Sequence, residues 1–195
     1  GQSVGFRVVD KAGKPVEDAV VVATPTSGNP PRAIPGSAVV DQEFKDHVVV
    51  VPTGTAVSFP NHDEIGHHVY SFSPAKIFEI PLYKEMPESP VVFDEEGAVA
   101  LGCNIHDWMS GYIFVVDTPY FGRTSAEGLA TIDLPPAEYE MSVWHPRLRG
   151  SVESTRQSVK VEGAADTLVV AMQLELKKVW KPRRGPSRAG RGGYP

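Results

Sequence analysis

Three side chains able to bind a metal follow one another at three-residue intervals in the run Cys103-Asn104-Ile105-His106-Asp107-Trp108-Met109. Two adjacent histidines, His67 and His68, stand upstream of them. A thiolate and two imidazoles in a plane, with a weak thioether above it, hold both Cu(I) and Cu(II) with little rearrangement. The residue types therefore predict a site for a metal ion that exchanges single electrons.

Each of these residues also has a plainer interpretation. A lone Cys103 often serves as a small buried hydrophobe, and Met109 as a flexible core filler. A Cys-x-x-His pair is common in zinc sites, but structural zinc normally recruits a second cysteine or a carboxylate rather than a thioether. Because the chain has one cysteine, an internal disulfide is excluded and any thiolate ligand must be Cys103.

The elements that must position these residues are predicted to be β-strands. The hydrophobic content of 41% and charged content of 22% are those of a folded protein. Eighteen glycines and eighteen prolines fall between short Val-rich runs, which indicates an all-β chain with frequent turns, and helix-period segments are absent. No apolar run approaches the roughly 20 residues that cross a bilayer. The strand candidates are Val4–Asp10, Ala19–Thr24, Val48–Val51, Ala56–Phe59, His67–Phe72, Val91–Phe93, Ala98–Gly102, Tyr112–Val116, Leu129–Leu134, Tyr139–Trp144, Ser158–Val161 and Leu168–Leu174. Residues 73–90 are Pro-rich and are predicted to be irregular.

The central part of the chain resembles the cupredoxins, and most closely their amicyanin-like branch, which belongs to the methylamine-utilisation type of copper protein. The likeness is carried by Asn61, by His67-His68-Val69, by the run from Cys103 to Met109 and by the strand after Gly111. In that family a histidine about six residues after an asparagine supplies one ligand, and a Cys-x-x-His-x-x-Met loop supplies three. The resemblance implies one mononuclear type 1 (blue) copper, held by His67, Cys103, His106 and Met109.

The neighbours of these residues depart from the family in part. On a strand His67 and Val69 point to one face and His68 to the other, so we expect His67 to face the sandwich interior. His68 stands where many cupredoxins have an asparagine, and either bonds the ligand loop or competes with His67. His62 on the preceding loop is a remote alternative for a metal contact. Asp107 would favour the oxidised site slightly and repel acidic partners.

A second resemblance joins the two ends of the chain. The segment Gly5–Ala23, with Asp-x-x-Gly-Lys-Pro-Val in its turn, resembles the first strands of carboxypeptidase regulatory-like (transthyretin-like) domains. The segment from Glu127 to Val143 resembles the second half of that module, although Pro136-Ala137-Glu138 replaces the usual Pro-Gly. We therefore expect residues 1–35 and 118–176 to form one β-sandwich, with a cupredoxin-like Greek-key sandwich of residues 36–117 inserted into it.

The last 19 residues, 177–195, form a basic Arg/Gly/Pro tail. They hold seven bases and no acid, so the other residues carry 19 − 7 = 12 bases and 24 acids, a net charge of −12. Residues 36–117 alone hold 13 acids and three bases, a net charge of −10. The tail lacks apolar periodicity and is expected to be disordered by itself. We expect it to contact an anionic surface or a partner subunit, and we expect no nucleic-acid binding because the body is acidic.

The sequence predicts an electron-transfer protein without substrate chemistry of its own. It offers no Ser-His-Asp order, no paired catalytic carboxylates and no phosphate-binding glycine loop. The expected partners are redox proteins, with a membrane-bound electron-transfer complex as one candidate. A copper-handling protein, or a structural or docking subunit of an extracytoplasmic assembly, is the alternative. The chain begins at Gly1 without methionine, and we expect a periplasmic or secreted protein whose signal peptide has been removed.

Overall fold

The computed structural model describes residues 1–40, 48–60, 67–74, 76–83, 90–103, 111–163 and 167–178. These residues form β-strands, apart from turns, loops and one short 3₁₀ helix at Val152–Thr155, and the all-β prediction is confirmed. Across the same ranges no helix is long and apolar enough to cross a bilayer. The strands are β1 Gln2–Asp10, β2 Val20–Pro25, β3 Ser37–Val39, β4 Val48–Pro52, β5 Thr55–Ser58, β6 His67–Ser73, β7 Lys76–Tyr83, β8 Val91–Phe93, β9 Gly97–Cys103, β10 Gly111–Val116, β11 Phe121–Arg123, β12 Leu129–Leu134, β13 Ala137–Trp144, β14 Gln157–Val161 and β15 Leu168–Leu174.

The first and last parts of the chain share two sheets. One sheet has the order β12-β1-β15, in which β1 is antiparallel to β12 and parallel to β15. The other has the order β11-β2-β13-β14 and is antiparallel throughout. Among the described strands neither β1 nor β2 pairs with any strand from β3 to β10. The two sheets enclose a core that includes Val4, Phe6, Val21, Ile132, Leu134, Tyr139, Met141 and Met172. These sheets are called the first sandwich below.

Buried threonines tie the early strands of the first sandwich to its later ones. The Thr124 hydroxyl donates to the Val16 carbonyl at 2.6 Å and accepts from the Ala19 amide at 2.9 Å. The Thr118 hydroxyl donates to the Ala23 carbonyl at 2.9 Å. Each bond satisfies a buried polar group across a separation of about a hundred residues, so the two ends of the chain stabilise one another.

Residues 37–116 form a second sandwich. Its larger sheet has the order β4-β10-β9-β6-β7, in which β4 and β10 are parallel and the other pairs are antiparallel. Its smaller sheet has the order β3-β5-β8. The core between the sheets is apolar in the part of the chain that the structure describes, and it includes Val40, Val51, Val57, Phe59, Phe93, Val99, Leu101, Ile113 and Val115. The stacked sheets are consistent with the cupredoxin-like sandwich that the sequence predicts.

A third core joins the two sandwiches. Val48, Phe114 and Val116 on the outer face of the larger sheet are buried in one cluster with Val20 and Trp144 of the first sandwich. The Trp144 ring stacks on Phe114 with a centroid distance of 4.8 Å and an interplanar angle of 14°. The four sheets are therefore layered, and strands such as β4 and β10 are apolar on both faces because both faces are covered.

The chain passes between the sandwiches at two adjacent points. The Ala33 amide donates to the Asp117 carbonyl at 2.8 Å, and the Arg32 guanidinium lies 3.3 Å from the Asp117 carboxylate. Ala33 precedes the second sandwich along the chain and Asp117 follows it. Entry and exit are thus bonded to each other.

The prediction that residues 73–90 are irregular is wrong for β7, which spans Lys76–Tyr83. The segment 73–90 contains four prolines, and Pro81 lies within the observed strand. The strand lies at the edge of its sheet, where the missing amide of a proline is tolerated. The pairing of β6 with β7 is irregular next to Pro81. Val69 pairs with Ile80, but His67, two residues earlier, pairs with Tyr83, three residues later, so β7 has one extra residue there.

Candidate metal centre

The strands that carry the first two predicted ligands are neighbours. Strands β6 and β9 are antiparallel, with Val69 opposite Cys103 and Tyr70 opposite Gly102. Strand β6 begins at His67 and β9 ends at Cys103. The register therefore brings the start of one strand and the end of the other together at the same end of the sheet.

The burial pattern shows which face of the sheet these positions share. Val99 and Leu101 on β9 are buried in the core, and so is Ser71 on β6. Because strand residues alternate, position 103 shares its face with 99 and 101, and position 67 with 69 and 71. Directly opposite positions also share a face, so positions 67 and 103 lie on the core side as diagonal neighbours, at a typical spacing of about 7–8 Å. Position 68 lies on the other face.

The remaining predicted ligands fall between two strands that end at this same place. Strand β10 begins at Gly111, which pairs with Leu101 of β9. Residues 104–110 connect these antiparallel neighbours along the chain. His106 and Met109 belong to that connection and lie outside the described residues, as do Asn61, His62, Asp107 and Trp108.

The four predicted donor atoms belong to residues at the ends of β6 and β9 and in the connection after β9. In the described ranges no group of three or more His, Cys, Asp or Glu side chains is placed to hold a metal. A thiolate, two imidazoles and a thioether suit copper by their chemistry. The backbone brings positions 67 and 103 together and attaches the segment with the other two donors at the same end, so the placement of the chain fits a mononuclear copper site.

His145, which directly follows β13, has a different environment. It is 7% exposed, and its Nε2 atom lies 3.0 Å from the Glu17 carbonyl oxygen. Its Nδ1 atom accepts a hydrogen bond from the Arg147 amide at 3.1 Å. Burial lowers the pKa of His145 below its ordinary value of 6.5, and the bond to Glu17 opposes that shift. The main chain occupies both ring nitrogens, so this histidine is a neutral structural residue.

A cleft of about 900 Å³ between the sandwiches was not predicted from the sequence. Its walls include two ion pairs, Arg156 with Glu140 at 3.0 Å and Arg32 with Asp117 at 3.3 Å. It borders Gly97, at the end of β9 away from Cys103, so it is separate from the predicted metal site. Strand periodicity does not reveal such a cleft, because it forms between the outer faces of two bodies.

No family model and no curated protein matches the sequence. Three solved structures align with part of the chain. A purple cupredoxin from Nitrosopumilus maritimus aligns at 22% identity and a TM-score of 0.32, over 41% of this chain and 98% of that one. A pseudoazurin from Sinorhizobium meliloti aligns at 19% identity and a TM-score of 0.32, over 43% of this chain and 76% of that one. A copper-containing nitrite reductase from Thermus scotoductus aligns at 23% identity and a TM-score of 0.35, over 56% of this chain and 28% of that one.

Proposed function

We propose that the protein holds one mononuclear type 1 copper ion through His67, Cys103, His106 and Met109. The observation that carries the proposal is the β6–β9 register, which puts positions 67 and 103 on the core side at one end of the sheet. Bound copper would supply reversible one-electron chemistry. We propose that the protein uses it to pass single electrons between redox partners, without a substrate reaction of its own.

The sandwich would contribute rigidity to this function. Electron transfer is fast when the ligands move little between the two oxidation states. Hydrogen-bonded strands hold positions 67 and 103, and the buried Val99 and Leu101 fill the core behind position 103. The Ser71 hydroxyl donates to the Lys76 carbonyl at 2.8 Å and closes the β6–β7 hairpin next to this face. A packed apolar core of this kind resists rearrangement and keeps water from the inner side of the site.

The proposal also covers the kind of copper domain, the domain into which it is inserted, the cellular location and the redox partner. We propose an amicyanin-like copper sandwich of residues 36–117, inserted in a regulatory-like sandwich of residues 1–35 and 118–176. The strand pairing supports it, because β1 and β2 pair only with strands after residue 120 in the described chain. A periplasmic or secreted location and a redox protein partner are proposed with it.

Copper handling is the second candidate function. Cys103 favours the redox function, because a thiolate combined with two imidazoles holds both oxidation states of copper. A Cu(II)–thiolate bond gives intense visible colour, whereas a site of histidine and methionine alone does not. Colour therefore separates the two candidates.

The test compares visible absorption and EPR spectra of copper-loaded wild type and Cys103→Ser. We expect intense colour in the wild type and its complete loss in the variant, because the thiolate is the source of the charge-transfer band. Circular dichroism should show that the variant still folds, since the core does not require the sulfur. His145→Gln is the control and should keep the colour. An unchanged visible spectrum in Cys103→Ser would refute the assignment, and a colourless wild type that binds Cu(II) would favour copper handling.

A further inference from the structure

A short two-stranded ladder holds the point where the basic tail leaves the first sandwich. Leu148 and Leu176 form an antiparallel bridge. The Lys177 amide donates to the Arg147 carbonyl at 2.7 Å, and the Arg149 amide donates to the Glu175 carbonyl at 2.8 Å. The pairing puts Arg147 opposite Lys177 and Arg149 opposite Glu175.

The ladder is apolar on one face and basic on the other. Leu148 is buried in the core of the first sandwich, and Leu176 packs against that core. Side chains alternate along a strand, so the residues on either side of these leucines project outward. We call the exposed bases of this region the basic platform, and its members are Lys11, Arg147, Arg149, Lys177 and Lys178.

One carboxylate, that of Glu175, lies among these bases. It is shared by Lys11 at 3.1 Å and Arg149 at 3.4 Å. The adjoining turns of residues 10–18 add Lys14, Asp10, Glu17 and Asp18, which brings the local charges to six bases and four acids, of which Asp18 lies 3.7 Å from Arg123. The Asp10 carboxylate accepts hydrogen bonds from the Ala12 and Lys14 amides. The platform is thus a positive region on a body whose residues 1–176 have a net charge of −12.

The arrangement of Arg147 and Lys177 is unfavourable for the isolated protein. Like charges directly opposite each other on paired strands are destabilising. Among the described contacts the Arg147 guanidinium meets the Lys177 carbonyl oxygen, at 3.3 Å, and no carboxylate. An anionic surface bound at this face would remove the repulsion.

The platform continues into the tail. Residues 179–195 add five bases, Lys181, Arg183, Arg184, Arg188 and Arg191, and the two aromatic residues Trp180 and Tyr194. Clusters of four to eight bases bind anionic lipid headgroups, and Trp and Tyr are enriched where protein meets the membrane interface. The platform by itself holds five exposed bases on described residues, which falls within that range.

We propose that the basic platform docks on an anionic membrane surface. A lipid surface is favoured because its many headgroups can meet all five exposed bases of the platform at once, and each base near an anionic bilayer adds to the attraction. The platform belongs to the first sandwich, whereas the predicted metal ligands lie in the second, so the proposal does not depend on copper binding.

The test measures partition of the full-length protein onto lipid vesicles. One set is phosphatidylcholine alone, and in the other about a third of the lipid is phosphatidylglycerol. The matched variants are Arg149→Gln on the platform and Lys160→Gln on β14. Both side chains are exposed, at 69% and 66%, and each pairs with a glutamate, at 3.4 Å and 3.5 Å. A further variant changes the five bases of residues 179–195 to glutamine and keeps the chain length.

We expect binding to the anionic vesicles only, with loss at high salt. Arg149→Gln should lower the partition coefficient about fivefold, both in the wild type and in the variant with the neutral tail. Lys160→Gln should change it less than about twofold, and melting curves should show that all variants fold. Equal effects of the two single substitutions would overturn the role of the platform. So would loss of all anionic preference when the tail is neutralised. Binding to polyglutamate without binding to anionic vesicles would overturn the membrane assignment.

Discussion

The two sandwiches each place a histidine at the end of a strand, and the two residues differ in their surroundings. His145 follows β13 in the first sandwich, and main-chain groups of Glu17 and Arg147 occupy both of its ring nitrogens. His67 begins β6 in the second sandwich, diagonal to the end of β9. A histidine bonded by the main chain on both sides cannot ligate a metal. The position of His67, at a sheet end and diagonal to that of Cys103, is the one for which we propose a ligand role. The comparison separates a scaffold, whose substitutions change stability, from a site, whose substitutions change colour.

The largest effect should come from Trp144→Ala, which removes the ring that joins the sandwiches. Trp144 is 8% exposed and stacks on Phe114. We expect the free energy of unfolding to fall by about 3–5 kcal/mol, the usual cost of truncating a buried aromatic residue. The copper colour at saturating copper should remain, because the ring belongs to the scaffold.

Chemical denaturation followed by circular dichroism measures this loss. Leu129→Ala is the control, because Leu129 is 50% exposed on an outer sheet and its truncation should cost less than about 1 kcal/mol. Similar costs for the two variants would contradict the third core as the element that joins the sandwiches.

His67→Ala and His68→Ala test which of the two adjacent histidines binds the copper. We expect His67→Ala to lower copper affinity by at least about a hundredfold and to remove the colour, because loss of a ligand should exceed the 10–100-fold effects of outer-shell partners. His68→Ala should keep the colour, since position 68 lies on the other face of the sheet. Copper titrations followed in the visible range measure both affinities. The reverse ranking would show that the strand phase at the site is wrong.

The smallest effect concerns the pH dependence of stability through His145. Its pKa is lowered in the folded protein, so below pH 6.5 the unfolded chain binds a proton that the folded chain does not. Stability contributed by the neutral ring is therefore present above pH 6.5. It falls as the pH drops toward the folded pKa, by at most about 1.4 kcal/mol per pH unit.

His145→Gln removes this titration, because a glutamine amide can still donate to the Glu17 carbonyl but does not bind the proton. Denaturation midpoints measured over a series of acidic pH values should fall more steeply for the wild type than for the variant. Parallel curves would mean that His145 does not titrate differently in the two states.

The sequence predicted the class of the fold and much of its strand content. Continuous apolar runs at Ala19–Thr24, Val48–Val51 and Tyr112–Val116 became strands covered on both faces, whereas alternating Leu129–Leu134 became an outer strand. The short strands β3 and β11 went unpredicted because Ser-Ala-Val and Phe-Gly-Arg lack the run of β-branched and aromatic residues that indicates the equally short β8, and β7 because of its prolines. Pairing partners and the third core depend on contacts between distant segments, which local pattern does not contain.

For the candidate site, alternation along β6 predicts that His67 faces the interior, and the register of β6 with β9 gives the backbone position from which this prediction can be tested. The ligand set itself remains a prediction, since His106 and Met109 lie outside the described residues. The cleft and the basic platform were missed for another reason. Each forms where segments far apart in sequence meet, as Leu148 and Leu176 do.

The hydrogen bond between Ala33 and Asp117 shows where the two domains could be separated or exchanged by engineering. The chain leaves the first sandwich at Ala33 and returns to it at Asp117, and these two residues are hydrogen-bonded to each other. In the topology of the first sandwich, the second sandwich therefore takes the place of a surface loop. Lengthening such a loop is cheap, since each doubling costs only about 0.6 kcal/mol of closure entropy. A short turn in place of residues 34–116 could therefore close the first sandwich, provided that Val20 and Trp144, which the third core buries, were replaced by polar residues. Another domain whose two ends lie close together could be inserted at the same place.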